Sequence, residues 1–296
     1  MKSKSGRDIR AELWLLVGAF LWAANYPVVK YGISGIEKFA FNGLRYFISA
    51  GVLLLLYRAL RLPWTHVEPA DWMRLIRAGV VAHVMYQMAF ITGLNLTTAG
   101  NAAVLLATAP LWTLVIDARM HGEKISGRMW AGILMSLAGV IMITVGSGKD
   151  LTLGSDELMG DLVCLAAALF WALNTNLQKP LLGRYSPTQL TLVMVCVGAL
   201  GLVLVGLPWV GTVDWAEVHW TFYTAALWSG VFSLALGSLI WSVGIKRIGP
   251  GLTGAFGNLI PVIAVVISYF MLGEKLHPVQ FAGAGVTLFG VWFARR

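Results

Sequence analysis

Polar and titratable side chains are scarce inside the long apolar runs of this chain, and the few that occur there are candidates for function. A polar or charged group is costly in the middle of a bilayer, so such groups mark places where solutes or protons are handled. Candidates for contact with a solute, or for lining a cavity, are Trp22, Asn25, His83, Tyr86, Gln87, Asn101, Pro110, Trp171, Asn174, Trp241, Asn258 and Pro261. Four charged residues are candidates for a gate or an ion pair, namely Lys30, Arg45, Glu123 and Glu274.

His83 and Tyr86 lie on one stripe of an apolar run, together with Gly79 and Phe90. The stripe combines one titratable ring with aromatic surface, and this combination suits a zwitterionic solute with an apolar side chain. Because histidine titrates near neutral pH, His83 is also a candidate for proton coupling. A plain hydrogen bond between helices is the alternative interpretation of His83.

Two tryptophans each precede an asparagine by about one helical turn, Trp22 before Asn25 and Trp171 before Asn174. An indole ring can stack on a bound ring or cation. Simple core packing is equally consistent with this spacing, so the sequence leaves both interpretations open.

The four charged candidates have different expected partners. Arg45 lies in the middle of an apolar run, and no Asp or Glu lies deep in any such run, so a solute carboxylate is a candidate partner. Lys30 lies near the end of its run, where its side chain either reaches water or contacts a ligand. Glu123 and Glu274 begin matched segments, where a carboxylate either stabilises a helix N-terminus or forms part of a gate.

Signatures of other protein classes are missing from the sequence. The histidines outside the apolar runs are scattered and the acids form no close metal-ligand set, so we expect no metal, no cofactor and no enzymatic activity. The net charge of +8 does not predict nucleic-acid binding, because Lys and Arg are spread between the apolar runs. An ion channel is a further alternative, but no ring-forming charge or carbonyl signature is visible.

The elements that position these residues are apolar helices. The chain has 58% hydrophobic and 12% charged residues, with a mean hydropathy of +0.74, whereas soluble domains have roughly a quarter charged residues. The lipid bilayer is therefore the expected solvent, and the runs predict an all-α integral membrane protein with ten transmembrane helices. The predicted spans are 11–32, 39–57, 72–94, 99–116, 129–145, 160–178, 188–207, 220–245, 253–271 and 279–294.

The positive charges predict how these spans are oriented. Loops on one side contain only Lys38, Lys149 and Lys275, while most Lys and Arg residues lie on the other side. Positive segments stay cytoplasmic during insertion, so we expect both termini in the cytoplasm and a location in the cell inner (plasma) membrane. The basic start also suits a signal peptide, but the first run is long and its motif recurs later, so we expect it to be retained.

The two halves of the chain repeat one pattern. A Trp-Ala-x-Asn sequence at residues 22–25 recurs at residues 171–174, and Pro110 and Pro261 are each followed by a Gly-Glu-Lys triplet. Glycines at seven-residue spacing occur in both halves and predict faces where helices approach closely. The chain therefore consists of two related repeats.

We expect the first repeat to comprise residues 1–148 and the second residues 149–296. Each has five spans, an odd number, so the second must enter the membrane in the opposite orientation. Inverted repeats are a recurrent plan of secondary transporters, whose substrate site lies near the midplane and between the repeats. Helices interrupted at matched positions, here by Pro110 and Pro261, are pointers to that site.

These motifs, with a Gly-x6-Gly pattern in the last span, resemble the EamA-type ten-helix members of the drug/metabolite transporter superfamily, in particular its amino-acid exporters. The resemblance covers nearly the whole chain and both halves. It implies a secondary transporter, independent of ATP, that exports amino acids or related small metabolites by alternating access. Drugs, organic cations and sugar-phosphate-type metabolites are alternative solutes.

The resemblance also implies an arrangement of the spans. We expect spans one, three, four, six, eight and nine to surround a central cavity, and spans five and ten to lie at the periphery. A monomer is expected because each chain contains both repeats. Its partners would then be the solute and the lipid bilayer.

Overall fold

The computed structural model describes residues 8–32, 38–97, 99–146, 158–211, 213, 215–272 and 277–294, and over these ranges the chain is helical without strands. Up to residue 146 its helices are α1 (Ile9–Gly32), α2 (Lys38–Ala59), α3 (Pro69–Gly79), the π-helical segment π1 (Val80–Met85), α4 (Tyr86–Leu96), α5 (Ala99–Leu106), α6 (Ala109–His121) and α7 (Gly127–Gly146). From residue 158 they are α8 (Leu158–Leu182), α9 (Pro187–Val210), α10 (Trp220–Trp228), the π-helical segment π2 (Ser229–Leu236), α11 (Gly237–Ile248), α12 (Pro250–Gly257), α13 (Leu259–Leu272) and α14 (Pro278–Ala294).

Within the described residues, 7 helical stretches are long and apolar enough to cross a membrane. They are Phe39–Ala59, Pro69–Gly93, Ala102–His121, Gly127–Gly146, Leu158–Leu182, Pro187–Val210 and Trp220–Ile248, and shorter apolar helices cover Pro250–Ala264 and Pro278–Ala294. Large apolar side chains such as Phe47, Leu55 and Leu200 point out of the bundle. An apolar outer surface of this kind fits a lipid environment.

Two helical rods are broken near a proline. Pro110 lies in the first turn of α6, just after the chain leaves α5, and Pro261 lies in the first turn of α13, just after the break at Asn258. Proline is tolerated in the first turn of a helix because backbone N–H groups there have no carbonyl partner within the helix, so the missing N–H of proline costs no hydrogen bond. At the first break the hydroxyl of Thr108 donates to the Leu105 carbonyl at 2.6 Å, which satisfies one freed backbone group.

The two π-helical segments interrupt otherwise continuous helices. The segment π1 connects α3 to α4, and π2 connects α10 to α11, with right-handed helical dihedrals at the junctions. A π-helical turn inserts residues into the helix and often occurs at functional sites, because it redirects the side chains that it carries. The segment π1 carries His83, and π2 carries Ser229 and Ser233.

Helices from before residue 146 pack along helices from after residue 158, with α2 against α9, α4 against α8, and α7 against α14. The contact between α7 and α14 is built from glycines. A Cβ placed on Gly139 would lie 2.5 Å from the Gly283 carbonyl oxygen, and one on Gly290 would lie 2.6 Å from the Gly132 carbonyl oxygen. The glycine spacing that predicted close helix approach therefore lies in such an interface.

Helix α1 packs antiparallel to the α10–π2–α11 rod. Near its start Leu15 contacts Gly244, and further along Gly18 contacts Ile240. Trp22 then reaches Gly237 and donates to the Ser233 carbonyl. Each turn along α1 therefore corresponds to one turn back along the partner rod.

Candidate functional site

Three tryptophans meet in the centre of the bundle. The ring centroids of Trp22 and Trp171 are 5.3 Å apart, those of Trp22 and Trp241 are 5.2 Å apart, and those of Trp171 and Trp241 are 5.2 Å apart. We call Trp22, Trp171 and Trp241 the tryptophan cluster. Tyr86 extends it, since its ring lies 5.0 Å from that of Trp171.

Hydrogen bonds fix the orientation of two of these indoles. Nε1 of Trp22 donates to the backbone carbonyl of Ser233 in π2 at 3.0 Å, and Nε1 of Trp241 donates to Oγ1 of Thr175 at 3.1 Å. A buried indole usually has such a partner, because an unpaired N–H is costly in apolar surroundings. These hydrogen bonds therefore hold Trp22 and Trp241 of the cluster in a defined orientation.

A cavity lies beside the tryptophan cluster. It offers about 10 Å³, roughly the room of one water molecule. It is lined by His83, Trp171, Asn174, Gln178, Thr191, Met194, Ser238, Trp241 and Ser242. Several of these residues were expected from the sequence, but Thr191 and Met194 come from α9, which belongs to a span that was not expected at the cavity.

The polar residues of this cavity form one hydrogen-bonded chain. The hydroxyl of Thr191 donates to Oγ of Ser242 at 2.9 Å, and Ser242 donates to Oε1 of Gln178 at 2.6 Å. The Gln178 amide donates in turn to Oδ1 of Asn174 at 3.0 Å. This chain connects α9, α11 and α8 and places neutral donors and acceptors next to the aromatic rings.

His83 and Gln87 make hydrogen bonds between helices. Nδ1 of His83 lies 3.2 Å from the hydroxyl of Tyr46, and the amide of Gln87 donates to Oδ1 of Asn42 at 3.3 Å. His83 is buried, and besides its contact with Tyr46 it lines the cavity. Gln87 belongs to a structural contact with α2.

Arg45 and Asn25 each have an unused polar atom. Arg45 is 6% exposed, and its Nη1 donates to Oγ of Ser229 at 3.2 Å. Within the described ranges, Nε of Arg45 and Oδ1 of Asn25 are buried without a hydrogen-bond partner. A buried polar atom without a partner requires an explanation, because leaving it unpaired costs about 1–3 kcal/mol.

Other predicted site residues lie elsewhere. Asn258 is buried at the break before α13, where its amide donates to Oγ of Ser136 in α7 at 2.8 Å. Pro110 and Pro261 lie at the two breaks and do not line the cavity. Glu274 and the side chains of Lys30 and Asn101 lie outside the described residues.

Ion pairs join the first and second halves of the chain at the end of the bundle where α8 ends. Nζ of Lys179 lies 2.9 Å from Oδ1 of Asp117 and 2.9 Å from Oε1 of Glu123. Two residues past the end of α8, Arg184 pairs with Asp71 at 2.8 Å. We call Asp71, Asp117, Glu123, Lys179 and Arg184 the ion-pair layer.

Sequence reasoning missed most of the ion-pair layer. Asp71 and Asp117 are buried, although they lie just outside the predicted spans 72–94 and 99–116 and were not among the candidates. Glu123 precedes α7 by several residues, and the first turn of α7 is instead capped by Ser126, whose Oγ accepts from the Met129 N–H. The Glu123 carboxylate therefore forms an ion pair with Lys179 and does not cap α7.

The pH dependence of the Glu123 contact has a definite sign. The Lys179 ammonium donates to Glu123 and holds the pKa of that carboxyl below its ordinary value of 4.5. Because the folded pKa is lower, the contact stabilises the fold fully above pH 4.5 and is lost as the pH falls through the folded pKa.

Glu123→Gln is therefore expected to lower the unfolding free energy at neutral pH by about 0.2–1 kcal/mol, since the carboxylate is largely exposed. The difference from wild type should disappear in acid. Thermal unfolding of both proteins over a pH series measures it. A difference that persists after the carboxyl is protonated would contradict an ionic role for Glu123.

The helices, the apolar outer surface and the buried aromatic and polar centre define a multi-pass membrane protein. A family model described as the EamA-like transporter family matches residues 9–145 and again residues 158–296. The chain belongs to this family of membrane transporters, whose partners are small solutes and the lipid bilayer.

Similar proteins are named as transporters. The chain is 25% identical over 291 residues to the uncharacterised transporter YyaM of Bacillus subtilis, covering 96% of this chain and 93% of that protein. It is 27% identical over 282 residues to the uncharacterised inner membrane transporter YedA of Escherichia coli K12, covering 92% of this chain and 86% of that protein. It is also 25% identical over 292 residues to a probable terminal-alkyne amino-acid exporter of Streptantibioticus cattleyicolor, covering 96% and 93% of the two chains.

A protein of known crystal structure has a similar fold. The superposition has a TM-score of 0.83 and covers 96% of this chain and 98% of the other, at 18% sequence identity. A similarity at this identity concerns the fold alone.

Proposed function

We propose that this protein is a secondary transporter that exports amino acids or related small metabolites by alternating access, without hydrolysing ATP. The observation that carries the proposal is the central tryptophan cluster with its neutral polar chain, enclosed where helices from both halves meet. A site in this position can be exposed to either side of the membrane when the halves rock against each other.

We propose that ten transmembrane helices form two inverted five-helix repeats, residues 1–148 and 149–296. The family model matches the chain twice, and the proline breaks and the π-helical segments occur at corresponding places in the two halves. In the proposed topology the protein lies in the inner (plasma) membrane of the cell, and both of its termini lie in the cytoplasm. The protein is proposed to act as a monomer and not as an enzyme.

In this proposal the ion-pair layer closes one end of the transport path. Its pairs connect α8 and the residues after it to α3 and α6, so they hold the two halves together at that end. Opening the path at this end requires the pairs to break. The layer is therefore proposed as one gate of an alternating-access cycle.

The chemistry of the cavity favours amino acids with apolar side chains. Indole rings provide a large apolar surface, and the hydrogen-bonded chain from Thr191 to Asn174 provides neutral polar partners. One relative is named as a probable amino-acid exporter, which also supports this substrate class. Organic cations are a second candidate, because three indoles in mutual contact suit cation–π binding.

Reconstitution of the purified protein into liposomes tests the proposal. We expect radiolabelled phenylalanine and leucine to enter the vesicles faster than in protein-free controls. If the protein moved phosphorylated metabolites or organic cations but no amino acid, the substrate assignment would be wrong. Uptake with and without an imposed proton gradient, in wild type and in His83→Ala, distinguishes proton exchange from facilitated diffusion.

Trp171→Ala is expected to lower phenylalanine uptake about tenfold, because a lost aromatic contact of about 0.5–1.5 kcal/mol adds to lost apolar burial. Trp220→Ala is the matched control, since Trp220 is 65% exposed at the start of α10. Initial uptake rates, normalised to the amount of folded protein, measure both variants. Equal uptake rates in the two variants would show that the tryptophan cluster does not contribute to transport.

A further inference from the structure

We propose that Arg45 and Asn25 together bind the charged head group of an amino acid, whose side chain is directed at the tryptophan cluster. This inference rests on the proposed function and adds the place where the two charges of the substrate are recognised. The head-group site lies between α1, α2 and π2, where helices of the first half meet Ser229 of the second half.

Arg45 has spare donors at a buried position. Its Nη1 donates to Ser229, and its Nε is buried and unpartnered among the described residues. The ion pairs found within the described part of the chain do not include Arg45. A guanidinium offers five N–H donors in a fork that matches a carboxylate, so a substrate carboxylate would complete a buried ion pair here.

Two aromatic rings lie beside the guanidinium, and one of them leads toward the cavity next to the tryptophan cluster. The guanidinium carbon lies 5.8 Å from the ring centroid of Phe41 and 5.9 Å from that of Tyr46. The Tyr46 ring contacts the ring of His83, and His83 lines the cavity beside the tryptophan cluster. Tyr46 and His83 thus link the head-group site to the cavity beside the tryptophan cluster. The low polarity of the aromatic surroundings strengthens an ionic contact made with Arg45.

Asn25 supplies the complementary acceptor. In the antiparallel contact with the α10–π2–α11 rod, Trp22 of α1 meets Ser233. One turn further along α1 corresponds to one turn back along the rod, so Asn25 lies at the level of Ser229, the partner of Arg45. Its buried Oδ1 has no hydrogen-bond partner among the described residues.

A zwitterion satisfies both unused groups at once. The carboxylate accepts hydrogen bonds from Arg45, and the ammonium donates to the carboxamide oxygen of Asn25. Each unpaired group would otherwise remain buried at a cost, so recognition depends on both charges of the ligand. An analogue that lacks the carboxylate leaves Arg45 unpaired, and an analogue that lacks the ammonium leaves Asn25 unpaired.

The wild-type protein alone tests this proposal. In proteoliposomes, we expect unlabelled phenylalanine to compete with labelled phenylalanine at least about tenfold better than phenylalaninamide or 3-phenylpropionate, since one lost charged hydrogen bond is worth about that factor. Equal competition by phenylalaninamide would overturn the role of Arg45. Equal competition by 3-phenylpropionate would overturn the role of Asn25. If no amino acid is transported but another solute is, the proposed function fails, which is a distinguishable result.

Variants assign the two contacts to residues. Arg45→Met is expected to weaken competition by phenylalanine about tenfold while leaving phenylalaninamide unchanged, and Asn25→Leu is expected to remove the preference for phenylalanine over 3-phenylpropionate. Arg58→Met is the matched control, because Arg58 is an exposed cation in the last turn of the same helix α2. If Arg45→Met does not fold, Arg45→Lys keeps the charge and should still prefer phenylalanine over its amide. Loss of that preference in Arg58→Met as well would contradict the proposal.

Discussion

Gly139→Ala is expected to destabilise the protein strongly, by about 1–3 kcal/mol or more, because the added methyl group has no room between α7 and α14. A Cβ at Gly139 would overlap Oγ1 of Thr287 and lie 2.5 Å from the carbonyl oxygen of Gly283. The second of these is backbone, which cannot rotate away. The two helices must therefore move apart, and they then lose contacts along their whole shared face.

Gly285→Ala is the matched control for Gly139→Ala. Gly285 lies inside α14, on the partner helix, and a Cβ there would meet nothing within 4 Å. We expect this variant to be at least as stable as wild type, since alanine is the better helix former. Thermal unfolding in detergent, monitored by size-exclusion chromatography, measures the stability of all three proteins. An equal loss of stability in both variants would show that the close approach of α7 and α14 does not explain the effect of Gly139→Ala.

The sequence predicted the faces of these helices but not their pairing. Seven-residue glycine spacing indicates which side of a helix approaches a neighbour, because small residues repeat on one face. It carries no information about which neighbour that is. The partner of α7 is α14, from the opposite end of the chain, and the contact depends on the whole fold.

The central site was predictable where residues are unusual for their surroundings. Trp22, Trp171 and His83 were candidates because they are aromatic or titratable groups within apolar runs. The structure brings the two tryptophans together and places His83 at the cavity. Thr191 and Met194 gave no signal, because threonine and methionine are ordinary in apolar helices. Their role at the cavity follows from the packing of α9 and α11, which hydropathy does not report.

The ion-pair layer was difficult to predict for a different reason. A charge at the end of an apolar run is expected to contact water, and Asp71, Asp117 and Lys179 lie just outside the predicted spans, so nothing in the sequence indicated that they form buried ion pairs. In the structure Asp117 is only 5% exposed and lies between His121 and Lys179. Burial of the carboxylate results from helix ends of both halves closing over it.

Lys179→Met is expected to shift the conformational equilibrium toward opening at the end of the bundle where the ion-pair layer lies. The variant removes both ion pairs of Lys179 and, among the residues that the structure describes, leaves the buried Asp117 paired only with His121. Leaving a buried charge without its partner is costly, and the cost is removed when the halves separate and water reaches the carboxylate. A change of about 1.4 kcal/mol would alter the population of the open form about tenfold.

Cysteine labelling measures this opening. Ser238→Cys, in a background with Cys164 and Cys196 replaced by serine, places a thiol at the cavity, and a membrane-impermeant maleimide added from the α8-end side reports its exposure. We expect labelling to be about tenfold faster with Lys179→Met than without it. The charge-swapped pair Lys179→Asp with Asp117→Lys, combined with Glu123→Gln so that two carboxylates do not face each other, should restore slow labelling.

Lys246→Met separates loss of a link between the halves from loss of positive charge. Nζ of Lys246 donates at 3.3 Å to the backbone carbonyl of Tyr185, so its contact stays within the second half of the chain. Removing this ammonium lowers the charge at the same end of the bundle by the same amount as Lys179→Met. Slow labelling in Lys246→Met, beside fast labelling in Lys179→Met, would show that the bridge between the halves keeps this end closed. Equally fast labelling in both would attribute closure to overall charge and would contradict the assignment of Lys179 to a gate.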